Sequence, residues 1–129
     1  MKYKIRYIEY KGEIREIAFD FEKPYELLSF FISDDVGINY EWIEKKFNKV
    51  LLGETDYLDI GGNVCSLEMT PTTTKVYNEL EPDDEKYYAT MCEVDTRELL
   101  KLAEECSSII REFRRKRDNG ESEKEEQQE

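Results

Sequence analysis

Along residues 2–21, KYKIRYIEYKGEIREIAFDF, hydrophobic and charged side chains take turns. Tyr3, Ile5 and Tyr7 alternate with charges, Lys11-Gly12 supplies a turn, and Ile17, Phe19 and Phe21 resume the alternation. A period of two marks strands, so the stretch predicts a β-hairpin. Pro24 stops the second strand and suits the first turn of a short helix through PYELLSFF. ISDDVGIN reads as a loop. In YEWIEKKFNKVLL the period changes: Ile43, Phe47 and Val50 recur at helical spacing, and Gly53 is a natural C-terminal stop.

The period then returns to two. YLDIGGNVCSLEM turns at Gly61-Gly62 and continues with Cys65, Leu67 and Met69 on one face. TPTT, around Pro71, is a turn; TKVYNEL is a strand carrying Val76 and Leu80; EPDDEK is a loop; YYATMCEV is the last strand. Asp95 then caps a helix, with Glu98 placed three residues on as in a capping box. Leu99, Ala103, Cys106, Ile110 and Phe113 form its buried stripe, widened by Leu102 and Ile109, and Asn119-Gly120 ends it. The predicted order is β-β-α-α-β-β-β-α. It implies an α+β fold: a single antiparallel sheet of about five strands, helices packed on one face, and a long C-terminal helix.

Composition sharpens this picture in three places. With 129 residues, 39% hydrophobic, the chain is expected to form a single domain over 1–117. The tail 118–129 has no hydrophobe to bury and is expected to be a disordered acidic extension. No stretch has the roughly 20 apolar residues of a membrane span. The N-terminal alternation lacks the apolar core of a signal peptide, so a cytoplasmic protein is expected. Cys65, Cys92 and Cys106 are odd in number, widely spaced and never paired as CxxC, which points to reduced core residues rather than a disulfide framework.

Charge decides against one class of partner. Arg111, Arg114, Arg115, Lys116 and Arg117 crowd the end of the last helix, yet the formal net charge is -12. A body so acidic repels phosphates over about 8–10 Å, and cations at a helix C-terminus are favoured by its dipole in any case. The cluster therefore reads as a solvated helix end, and nucleic acid and membranes are excluded as partners.

Catalytic chemistry is equally thin. The chain has no His, which removes His-based acid–base and nucleophile systems and most transition-metal sites. DIGGN lies between strands and lacks the Lys and Ser/Thr of a phosphate loop, so it reads as a turn. Asp34-Asp35 and Asp83-Asp84 lack the spacing of a calcium loop and read as solvated carboxylates. No catalytic, cofactor-binding or metal residue is predicted, and the chain is read as a non-enzyme. What remains is an acidic surface suited to a basic protein partner.

One resemblance adds to this. Trp42-Ile43, Val50-Leu51-Leu52-Gly53-Glu54, Gly62-Asn63 opening a strand, Thr74-Lys75-Val76, and Cys92-Glu93-Val94-Asp95-Thr96-Arg97-Glu98-Leu99-Leu100 leading into the terminal helix together span roughly residues 42–115. The pattern resembles small bacterial immunity proteins of contact-dependent inhibition and polymorphic-toxin systems, and is similar to YacL-like proteins too. The resemblance implies a cytosolic antidote that binds one toxin domain, often a nuclease, without catalysis. The alternative is an adaptor or regulatory module for another basic protein. Because binding residues concentrate on loops of a rigid scaffold, the expected contacts are Asp34, Asp35, Asp56, Asp59, Asp83 and Asp84.

Overall fold

The structure, a computed structural model, describes residues 1–62, 64–79 and 91–120. The predicted loop EPDDEK, Leu80, the first half of the predicted last strand and the tail from 121 lie outside the described residues. The N-terminal alternation folds as the period implies. Strands β1 (Tyr3–Tyr10) and β2 (Glu13–Phe21) pair antiparallel, with Tyr3 opposite Phe21 and Tyr7 opposite Ile17. Lys11 and Gly12 both take positive φ, 52° and 80°, the hairpin turn whose twist matches its strands. The register slips after Ile8, so Arg15 is an extra residue in β2, a bulge. The two strands differ in fate. Ile17, Phe19 and Phe21 are buried, whereas Ile5 and Tyr7 are 39% and 44% exposed.

The segment after the hairpin departs from the sequence reading. The short helix α1 spans Leu28–Phe30 and begins beyond Pro24 rather than at it. ISDDVGIN is not a loop. A π turn (Phe31–Val36) runs straight into helix α2 (Gly37–Leu51), kinked at Asn39. The reason is packing: Leu27, Leu28, Phe31, Ile32 and Val36 are all at most 1% exposed. The one extra residue of a π turn keeps these apolar positions on one side of a helix that Asp34-Asp35 and Gly37 make look broken. The end of α2 falls where predicted, with Gly53 at φ 83°.

Six strands occur among the described residues, in two sheets, not about five in one. β3 (Leu58–Gly61), β4 (Cys65–Met69), β5 (Thr73–Asn78) and β6 (Met91–Asp95) form an antiparallel meander in chain order. The β1–β2 ribbon is separate. Alternation reveals strands but not pairing partners, and here the helices between β2 and β3 divert the chain, with α2 packing beside β3. The glycine pair also splits YLDIGGNVCSLEM into two strands where the sequence suggests little more than one.

Helix α3 (Thr96–Asp118) joins the parts. Leu99, Leu102, Ala103, Cys106, Ile110 and Phe113 are buried as the stripe predicts, and α3 packs against β2, the π turn, α2, β5 and β6. Asp95 caps it, accepting from the Glu98 amide at 2.9 Å. The buried Thr96 hydroxyl donates to the Thr70 carbonyl at 2.8 Å, which leaves its oxygen to accept from Thr74, also at 2.8 Å. At the other end the basic cluster is not merely solvated. Arg117 reaches Glu16 at 2.9 Å and the Arg15 carbonyl at 2.8 Å, while Arg114 donates to the Gly37 carbonyl at 3.0 Å. The helix end is latched to β2 and to the start of α2. Among the described residues no helix is long and apolar enough to cross a membrane.

Ile110→Ala or Phe113→Ala should each cost about 2–5 kcal/mol in denaturant unfolding, because each leaves a cavity where α3 meets the rest of the core. A near-neutral result at both would mean that α3 does not bear on the fold. The three cysteines supply a second check. All are free and buried, and burial pushes the thiols of Cys65 and Cys106 up to about 12 and that of Cys92 to about 11. Folding thus favours the protonated thiols. Their contribution is fully present below the unfolded value of about 8.5 and fades as pH rises toward the folded ones. The folded protein should resist alkylation at mildly alkaline pH and lose stability above it. Rapid labelling of the native chain would contradict this burial.

Candidate partner-binding face

Each strand of the meander spends alternate residues on the core: Ile60; Cys65, Leu67 and Met69; Thr74 and Val76; Cys92 and Val94 are all buried. The intervening residues point the other way. Cross-strand register places Asp59, Glu68, Lys75 and Glu93 in one row, and Gly61, Ser66, Tyr77 and Met91 in the next. No described element packs over this outer face. It is acidic and tyrosine-bearing. Tyr77 donates to Glu68 at 2.8 Å, and that bond raises the Tyr77 phenol above its ordinary value. Tyr57, half exposed, is raised by desolvation and by the charges of Glu68 and Asp59. Ser66 hydrogen-bonds Glu79 on the same face.

The structure scatters the aspartates that the sequence singles out. Asp59 is exposed on this face, in a strand rather than a loop. Asp56 is exposed in the connection between α2 and β3. Asp34 and Asp35 sit on the π turn, Asp34 half-buried and Asp35 only 4% exposed. Asp83 and Asp84 lie outside the described residues. The sequence reading misses Glu68, Glu93, Tyr57 and Tyr77, although the out-facing positions of the predicted strands point to them. Among the described residues no three metal-ligating side chains gather.

A cleft of about 320 Å³ lies at the end of β3, lined by Asp35, Asn39, Trp42, Ile43, Gly61 and Gly62. The glycines there are not equivalent. A Cβ on Gly62 would overlap the Asp35 carboxylate, whereas one on Gly61 would meet nothing within 4 Å. Trp42 is 41% exposed, and the Lys46 ammonium sits 5.3 Å from the ring centroid, a cation–π contact.

No family model and no solved structure matches the chain. A curated protein of Bacillus cereus, named as an immunity protein, is 30% identical over 90 residues, which cover 70% of this chain and 74% of that one. A relative of that name, 30% identical over most of both lengths, places this chain among the bacterial immunity proteins.

Proposed function

We propose that this chain neutralises a cognate toxin domain by binding it one-to-one through the outer face of the four-stranded sheet, and that the toxin is a basic, nucleic-acid-cleaving effector of a polymorphic-toxin system. The observation that supports the surface is the row Asp59, Glu68, Lys75 and Glu93 on a face that no described element covers. A nuclease cleft is built to attract phosphates. Rigid carboxylates on a sheet offer it the same charge without a scissile bond, and the field of an acidic body speeds their encounter. Tyr57 and Tyr77 add amphipathic contact area of the kind that dominates interface energetics. Occupancy alone suffices for this action, so no catalytic group is called on. The antidote works in the cytoplasm of the cell that makes it.

Co-expression with the toxin domain encoded beside this gene should permit growth, and the two proteins should co-purify. Asp59→Lys with Glu93→Lys, both at exposed positions, should abolish protection. Reversing a carboxylate that meets the toxin should cost about 2–5 kcal/mol of binding where it leaves a buried cation unpaired. Glu9→Lys on β1 serves as a control with the same charge change per site and should protect fully. Full protection by the double variant would remove the sheet face from the reading. A wild-type chain that binds no neighbouring toxin would remove the reading itself.

A further inference from the structure

Among the carboxylates in the row across the meander, Glu68 stands apart. Asp59 and Glu93 are exposed, whereas Glu68 is half-buried. The register sets Asp59 opposite Glu68 on one side and Lys75 opposite it on the other. A lysine directly opposite is the expected partner of a glutamate on a sheet. The carboxylate instead takes a diagonal neighbour. Tyr77, which stands opposite Ser66, donates its phenol proton to Glu68 Oε1 at 2.8 Å. The Tyr77 phenol is raised first by that bond, then by desolvation and by the charges of Glu68, Tyr57 and Asp59, so these groups lie close around it.

A tyrosine hydroxyl has one proton to donate and lone pairs with which to accept. With the proton committed to Glu68, the Tyr77 oxygen can serve a partner only as an acceptor. Donation to a charged carboxylate also polarises the hydroxyl and strengthens the bond that its oxygen then accepts. We infer that at this point of the sheet the partner meets the Tyr77 phenol oxygen, as acceptor for a lysine or arginine side chain, and that Glu68 is the positioning residue that holds the phenol. The inference rests on the reading of this face as the contact with a basic toxin, and it names the atom that receives the toxin's cation. The exposed carboxylates of Asp59 and Glu93 supply the charge around it. Met91, 41% exposed and opposite Tyr77, offers apolar contact to the aliphatic stem of the incoming side chain.

Calorimetric titration with the toxin domain encoded beside this gene separates the two roles. Glu68→Gln removes the charge, but its amide oxygen can accept the same proton, so binding should stay within about threefold of wild type. Glu68→Ala releases the phenol and should weaken binding about tenfold or more, as should Tyr77→Phe. The two losses should not add: in the Tyr77→Phe background, Glu68→Ala should change affinity less than about twofold. Equal losses in the Gln and Ala variants, or additive losses, would make Glu68 a contact carboxylate and overturn the inference. A second readout needs no toxin. In NMR titration of ring-labelled protein, the Tyr77 phenol should fall toward its ordinary value in Glu68→Ala, and an unmoved phenol overturns the inference as well. Wild-type binding keeps the outcomes apart. A toxin that binds wild type with the wrong variant pattern sinks this inference alone, whereas a wild-type chain that binds no neighbouring toxin sinks the toxin reading and this contact with it.

Discussion

Leu99, Ala103, Cys106, Ile110 and Phe113 run along one side of α3, and the two sheets meet in the core through that side. No strand pairing links the ribbon to the meander among the described residues, so apolar burial on α3 is what couples them. Each large side chain of the stripe contributes about 1.5–3 kcal/mol on full burial, far more than any polar contact nearby. The polar contacts have a different task. Arg117 with Glu16 is a partly exposed pair, of a kind worth about 0–1 kcal/mol. Together with Arg114 on the Gly37 carbonyl, and with Thr96 on Thr70 at the other end, it fixes where along α3 the other elements dock.

That arrangement decides which surfaces remain. Helices α2 and α3 consume the inner face of the meander, so among the described residues its outer face is left open. Carboxylates can gather there because water screens them and because Lys75 stands between Glu68 and Glu93 in the register. The gathering still opposes folding through self-repulsion, as does the net charge of -12. A basic partner would relieve the repulsion, which makes the charge pattern costly alone and favourable in a complex.

Much of this is legible in the sequence, and the rest is hidden for identifiable reasons. Period two exposes the hairpin and the strands, and the Asp95 cap, the α3 stripe and the Gly53 stop are each set by local chemistry. Pairing between distant strands leaves no local mark, so the pattern implies one sheet where there are two. Asp34-Asp35 carries a turn signal that the burial of Ile32 and Val36 overrides. The basic cluster shows its charge but not its targets, since Glu16 and Gly37 lie far off in sequence. Asp59 is singled out for the wrong location. Its neighbours on the face, Glu68 and Glu93, escape a rule that looks for acids in loops rather than at the out-facing positions of strands.

Attraction and discrimination are different problems. An acidic sheet attracts any basic surface and raises encounter rates, but it discriminates poorly among partners that are all basic. Discrimination needs a site that penalises the wrong side chain. Lys75, standing between Glu68 and Glu93 in the register, is such an element on the sheet, for a cation set against it is repelled. Gly62 ties the end of β3 to the π turn, because a Cβ there would overlap the Asp35 carboxylate. A larger residue at Gly62 would therefore disturb the packing of the π turn against the end of β3, while leaving the charge of the sheet face intact.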